Sequence, residues 1–327
     1  GMTLAQLGAD VIRFDPIGGG IDYRRWPVNG DNQSLYWHSL NKGKRSIAVD
    51  IRRPEGQEIL SRLITLPGDD GGMFLTNFPA KGWLSYERLK EFREDLIYMN
   101  LTGDRHGNSA LDYTVNCKVG FPSITGVGKA GEDPPLNNPM PAWDVITGQQ
   151  IALGLLAAER HRSRTGQGQL VKIALADVAL ATLGNLGYIA EAMINDVDRE
   201  AIGNDVFGTY GHDFECSDGE RVMVVGVSPN QWNALVAVTG TENQINELQQ
   251  RMGLDLRKEG DRYEARAEIT AIFKHWFSQR SYSQVSTELD NAGACWGKYQ
   301  TIRETVNTDI DCSTDNPLFQ MVDQPGV

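Results

Sequence analysis

The sequence predicts an α/β protein: a larger domain built on a parallel sheet, then a smaller α+β domain. Three observations carry the prediction. Between residues 2 and 175, helical apolar patterns alternate with short strand-like runs, an order that builds a parallel sheet covered on both faces. Around residues 195–203 the charge density rises and the apolar pattern breaks, which divides the chain into 1–199 and 200–311. Beyond that boundary a hairpin precedes several stretches of helical periodicity, the make-up of a compact α+β unit. A chain of 327 residues has the length for about two such domains and a sizeable core.

Each element follows from its local pattern. Met2, Leu4 and Leu7 share one helix face, Gly8 stops that helix, and residues 9–14 form a strand. A helix feeding a parallel strand implies a further strand ahead of it. The loop DPIGGGIDYRRWP lacks both the Walker and the GxGxxG spacing, so flexibility explains its glycines as well as phosphate binding does. In NKGKRSIAVD, Lys42, Lys44 and Arg45 crowd a turn before a strand at 46–49; three cations there suit a phosphate, and a solvated turn would look the same. Helices at 54–66 and 86–92 alternate with strands at 73–76 and 96–102, which puts Asn77, Phe78 and residues 103–107 at carboxyl strand ends, where such sheets bind ligands. Residues 111–126, with Tyr113, Asn116 and Lys118, are too mixed for a clear helix. Strands at 206–214 and 220–227 flank the turn Ser217-Asp218-Gly219, and helices are expected at 231–238, 245–252, 263–277 and 282–292. The tail 312–327 carries two prolines and reads as a connection.

The formal net charge of -12 argues against a general nucleic-acid or acidic-membrane surface, while leaving room for a local cationic pocket. Cys117, Cys216, Cys295 and Cys312 lie far apart, in no CxxC pair and with no histidine at ligand spacing, so they read as reduced thiols and no metal is expected. No apolar run reaches membrane-spanning length, and the first residues lack a signal-peptide pattern. A cytoplasmic protein without nucleic-acid or membrane partners is expected.

One acidic residue stands out. Residues 145–161 contain no proline and are apolar nearly all round, the pattern of a buried helix with close neighbours. Basic residues at 160–164 close it, Gly166 and Gly168 make a turn, and a strand follows at 170–175. Asp144 stands just before this helix. An aspartate there ordinarily caps the helix, accepting hydrogen bonds from orphan first-turn amides. The same amides and dipole would hold a carboxylate nucleophile ionised. Spacing does not separate the two roles.

The ordered set GMTLAQLGADVIRFDP, GIDYRR, NKGKRSIAVD, LTNF, LIYMNLTG, DYTVN, the Asp144 turn and RTGQGQLVKIAL resembles the class III CoA-transferase family over essentially the whole chain. That family includes formyl-CoA and carnitine CoA-transferases and α-methylacyl-CoA racemase. The resemblance implies a Rossmann-like large domain built from both chain ends, a smaller domain between them, and an interlocked, ring-like homodimer. The tail would return toward the large domain; the family's first strand and final return segment have no counterpart here. Acyl-CoA and a small carboxylic acid are the implied partners, with coenzyme A as part of the substrate and no permanently bound cofactor.

Carried over residue by residue, the resemblance makes Asp144 the nucleophile and Arg25 the arginine of a GDxxR loop. Lys44 lies in a cationic NxxKR turn beside Lys42 and Arg45, Asn77 and Phe78 match an NF pair lining the CoA site, and Asn116 falls at a glutamine ahead of the active-site loop. The racemase histidine is replaced by Leu111, directly before Asp112, and Ser228 and Pro229 stand near the strand end where racemases keep a glutamate. Both racemase bases are therefore missing. The wording GGGIDYRRWP, DYTVNCKVGFP and DNPLFQMVDQPG resembles members that move CoA between the two carboxyls of one dicarboxylic substrate. The implied route is an aspartyl-CoA thioester, with amides at the helix start or in the glycine-rich loop stabilising the oxyanions. Intermolecular transfer to a free acid, racemisation and a catalytically silent CoA-binding subunit are the alternatives.

Overall fold

The computed structural model describes residues 1–128 and 133–323. It divides into two units, the first comprising Gly1–Pro122 and Asn137–Asp198 and the second Ser123–Leu136 and Arg199–Val322, with Asp323 clustering with the first. In chain order the strands are β1 (Ile12–Asp15), β2 (Arg45–Ala48), β3 (Met73–Thr76), β4 (Ile97–Thr102), β5 (Val127–Gly128), β6 (Gln169–Ala174), β7 (Ala201–Ile202), β8 (Tyr210–Glu215), β9 (Arg221–Gly226) and β10 (Cys295–Lys298).

Two segments fall elsewhere than the division at 199 and 311 puts them. Residues 123–136 cluster with the second unit, because β5 pairs antiparallel with β7 in the register Val127↔Ile202. Residues 312–322 also belong there; the rest of the expected return segment, 324–327, lies outside the described residues.

In the first unit the helix–strand alternation forms two separately bonded parallel sheets. One pairs β1 with β2 from Ile12↔Arg45 to Asp15↔Ala48. The other runs β3-β4-β6, with Met73↔Ile97 and Ile97↔Gln169 in register. Central β4 is buried on both faces, Ile97, Tyr98 and Met99 having no accessible surface, which is why residues 96–99 are apolar without alternation. The rings of Phe14 and Phe74 stack with centroids 6.2 Å apart, tying β1 to β3.

The long helix spans Ala142–Thr165 and ends at Gly166, whose φ of 72° is the left-handed cap glycine tolerates. Trp143, Thr147, Ile151, Leu155, Ala158 and Arg162 are buried at helical spacing, where the helix packs on β4 and β6 and on the helices Asp112–Lys118 and Leu175–Asn185, Trp143 lying with Val115 and Leu175. The opposite face is apolar and uncovered: Val145, Leu153 and Leu156 are exposed, Leu153 to 61%. The all-round apolar pattern thus belongs to a helix that this one chain covers on one side. Arg162 Nη1 donates to Gly71 O at 2.9 Å and Nη2 to Asp69 O at 3.1 Å, pinning the last turns to the loop before β3. The mixed segment after residue 110 also contains a helix, Asp112–Lys118, whose buried residues are Asp112, Val115 and Asn116. Its inward face is largely polar, so apolar periodicity did not reveal it.

The second unit is an antiparallel sheet in the order β10-β9-β8, packed against helices Pro229–Thr239, Glu242–Met252, Glu259–Glu264, Arg266–Ser278 and Tyr282–Ala292. β8 and β9 form the expected hairpin. Its first strand begins at Tyr210 rather than 206, because Gly208 at φ 75° turns the chain before it. The helix expected at 263–277 is two helices meeting at Ala265. Phe214 and Phe277 stack at 4.2 Å in a core that includes Tyr210, Val224, Leu235 and Phe273.

Candidate active site

Asp144 does not precede its helix; it is the third residue within it, after Pro141 as cap and Ala142 and Trp143. Pro141 provides no side-chain cap. The cap comes from the neighbouring helix instead: Asp112 Oδ2 accepts from Trp143 N–H at 2.7 Å and from Asp144 N–H at 3.0 Å. The structural duty that an aspartate at this place would ordinarily perform is thus carried by Asp112, which is 4% exposed, and the Asp144 carboxyl is released from it.

Asp144 is open to solvent, yet its pKa is raised. Partial burial of the carboxyl is the largest cause and the nearby negative charge of Asp112 the next, opposed by Arg25 and supplemented by Asp22. The expected stabilisation of the anion by the helix terminus does not prevail. The amides that would supply it are engaged with Asp112, and two carboxylates outweigh one guanidinium.

Arg25 and Asp22 come from the loop around the short turn Ile21–Arg24, where Arg25 Nη1 is 3.4 Å from Asp22 Oδ1. The Arg25 guanidinium lies 4.4 Å from the centroid of the Tyr36 ring, a cation–π arrangement. Burial raises the Tyr36 pKa, Arg25 opposes this, and Asp22, Asp144 and Tyr113 add to it, so these side chains form one electrostatic cluster. Ser34, 2% exposed, holds the loop: its hydroxyl donates to Arg25 O and accepts from Trp37 N–H. Tyr113 donates to Pro139 O at 3.3 Å. Because Arg25 lowers the Asp144 pKa, Arg25→Met should move the acid limb of the kcat–pH profile to higher pH, a shift that initial rates measured across buffers would detect. An unmoved limb would show that Arg25 does not govern Asp144.

Asn116 is 5% exposed and has both ends of its amide engaged: Oδ1 accepts from Trp143 Nε1 at 3.0 Å, and Nδ2 donates to Asn137 Oδ1 at 2.5 Å. It braces the residue preceding Asp144. Asn77 and Phe78 stand at the carboxyl end of β3, where Phe78 N–H donates to Thr76 Oγ1 at 2.9 Å and its ring is 41% exposed, 6.5 Å from Phe14. Lys42, Lys44 and Arg45 sit at the amino ends of β1 and β2, away from the carboxyl edge. Lys42 is exposed. Lys44 Nζ donates to Asn41 Oδ1 at 2.8 Å, its pKa lowered by burial and then by Arg13. Arg45 pairs with Asp10. Of the expected binding residues, Arg25 joins the Asp144 cluster. Sequence spacing carried no signal for Tyr36, or for Asp112 as the cap.

All four cysteines are free thiols. Among the described residues, no group of three or more His, Cys, Asp or Glu side chains could hold a metal ion, and no helix is long and apolar enough to cross a membrane.

The model of CoA-transferase family III matches residues 1–325. The chain is 57% identical over 328 aligned residues to 2-methylfumaryl-CoA isomerase of Chloroflexus aurantiacus, covering 100% of this chain and 80% of that protein. It is 35% identical over 197 residues to succinate–glutarate CoA-transferase of Agrobacterium fabrum, covering 57% of this chain and 48% of that one. Among solved structures, a CAIB/BAIF family protein from Brucella suis superposes with a TM-score of 0.73 at 26% identity, over 94% of this chain and 81% of its own. A match that runs through both units, beside a relative 57% identical over the whole of this chain, makes the chain a member of CoA-transferase family III and so an enzyme acting on CoA thioesters.

Proposed function

We propose that the protein moves CoA between the two carboxyls of one methylfumaryl group, as a 2-methylfumaryl-CoA isomerase does, with Asp144 as nucleophile. The substrate assignment is supported by the 57% identity to that isomerase. The observation that carries the chemistry is the Asp144 carboxyl, whose helix is capped by another residue.

The Asp144 carboxylate attacks the thioester carbonyl, forming an acyl–aspartyl anhydride and expelling CoA thiolate. The thiolate attacks the aspartyl carbonyl, giving an aspartyl-CoA thioester and freeing the substrate carboxylate. The other carboxylate of the same molecule then attacks that thioester, again forming an anhydride and expelling the thiolate. Thiolate attack on the substrate acyl carbon completes the exchange and restores Asp144. A raised pKa makes Asp144 a better nucleophile once ionised. Arg25 opposes that rise and so favours the anion. Since Trp143 and Asp144 N–H are committed to Asp112 and Gly19 N–H to Pro16 O, the amides of Gly18 and Gly20 in the glycine-rich loop are the candidates for oxyanion donors.

Racemisation has less support. Leu111 occupies the histidine position and is 69% exposed. Ser228 near the other position caps helix Pro229–Thr239 through its hydroxyl, which accepts from Gln231 N–H at 3.3 Å. We read the working form as a homodimer, because the uncovered apolar residues Leu153 and Leu156, with Met193 and Ile194 at 79% and 80% exposure, need a covering surface.

The test is to incubate the purified protein with 2-methylfumaryl-CoA and no added acid, then resolve the CoA esters by chromatography. The ester at the other carboxyl should accumulate. Exchange appearing only after a second carboxylic acid is added would replace this reading with intermolecular transfer, and no exchange under either condition would leave a CoA-binding protein without activity.

A further inference from the structure

Asp112 is not among the residues that the family resemblance marks as nucleophile or CoA contact, yet it makes the contacts that fix the main chain of Asp144. First-turn amides of a helix have no partner within it, and Pro141 cannot supply one. Asp112 Oδ2 takes two of them, from Trp143 at 2.7 Å and Asp144 at 3.0 Å. Four residues on, Asn116 Oδ1 accepts from the indole Nε1 of the same Trp143 at 3.0 Å. One face of helix Asp112–Lys118 therefore grips Trp143 by main chain and side chain together. Both gripping residues are buried, at 4% and 5% exposure. A buried carboxylate costs desolvation, which two charge-assisted bonds to amides offset. An apolar residue would fill the same space without that cost and leave the helix start uncapped.

We propose that Asp112 is the positioning residue of the transfer reaction: it anchors the Asp144 main chain at the helix start, so that the Asp144 carboxyl is free to carry acyl and CoA groups in turn. The inference rests on Asp144 as nucleophile. The cap being anionic has a second consequence, since its charge faces Asp144 and raises the pKa of the nucleophile. The other charged groups that bear on this titration are Arg25 and Asp22 from the glycine-rich loop; Asp144 and Tyr113 in turn raise the pKa of Tyr36 on helix Leu35–Leu40.

The experiment compares Asp112→Asn and Asp112→Ala with the unmodified full chain, using 2-methylfumaryl-CoA as substrate. Asparagine keeps a carbonyl acceptor and discards the charge. It should retain the wild-type melting temperature closely, lower kcat by about 10-fold with little change in KM, and displace the acid limb of kcat to lower pH. Alanine leaves both amides unpaired and should lose about 10²-fold in kcat, a loss that asparagine partly recovers. Hydroxylamine added during turnover would convert the aspartyl thioester to a hydroxamate on Asp144, located by peptide mass mapping, quickly in the wild type and slowly in the alanine variant. Wild-type kcat in Asp112→Ala would overturn the proposal. If alanine fails to fold, asparagine alone decides: an unmoved acid limb, with activity lost only in proportion to melting temperature, would reduce Asp112 to a structural cap. Failure to trap Asp144 in the wild type would instead overturn the nucleophile reading, and this inference with it.

Discussion

Asp144→Asn should lose at least about 10³-fold in kcat, and at neutral pH it should melt slightly higher than the wild type. The loss follows from the proposed role of Asp144 as nucleophile, because a carboxamide cannot form the anhydride that every later step of that route requires. The gain follows from the sign of the pKa shift. Asp144 has a folded-state pKa above its ordinary value, from burial and from Asp112, with Arg25 opposing. Such a group contributes stability that is fully present below its unfolded pKa and is lost as pH rises through the folded pKa. At neutral pH its charge therefore opposes folding, and neutral asparagine removes the opposition. The effect is modest, since Asp144 is open to solvent, which screens the repulsion. Melting scans of both proteins at neutral pH and near pH 4 test it, with the gap closing at the lower pH. A variant that melts well below the wild type at neutral pH would return Asp144 to a structural role.

The largest expected effect on stability lies in the second unit. Arg262 has no accessible surface; Nη1 donates to Leu256 O and Arg257 O, both at 3.0 Å, and Nη2 to Val227 O at 2.6 Å. Its guanidinium is 5.5 Å from the centroid of the Trp232 ring. Burial lowers its pKa and Glu259 opposes that shift; arginine is basic enough to remain charged. The guanidinium thus binds the end of β9 to the chain entering helix Glu259–Glu264. Arg262→Met would leave three carbonyls unpaired inside the unit, at a cost of about 3–5 kcal/mol. The second-unit melting transition should fall by roughly 10 °C or more. Lysine should recover little, because a single ammonium does not reproduce the planar fork that meets these carbonyls. Denaturant unfolding would measure the loss, and a cost under about 1 kcal/mol would show that water or relaxation replaces the fork.

Much of the fold is legible along the chain because its signals are local. The alternation of helix and strand, the apolar run of β4, the hairpin β8–β9 and the helix at Tyr282–Ala292 each follow from periodicity and turn residues within one short window. Helix Asp112–Lys118 escapes because what it buries includes Asp112 and Asn116, polar groups satisfied by partners more than 20 residues away. Apolar periodicity cannot register such a face.

The same limit runs through the site. By itself the sequence determined that Asp144 stands at the start of a helix in an α/β protein, and that this helix is apolar on more sides than a surface helix needs. Only the tertiary structure decided what that aspartate is free to do, because the competing cap is supplied by Asp112, 32 positions earlier. It also showed that Arg25 and Tyr36 share its electrostatic environment. Periodicity reports how much surface a segment must bury and how its own turns close. Which distant group takes a given amide, or sets the charge beside a given carboxyl, depends on contacts that exist only once the chain has folded.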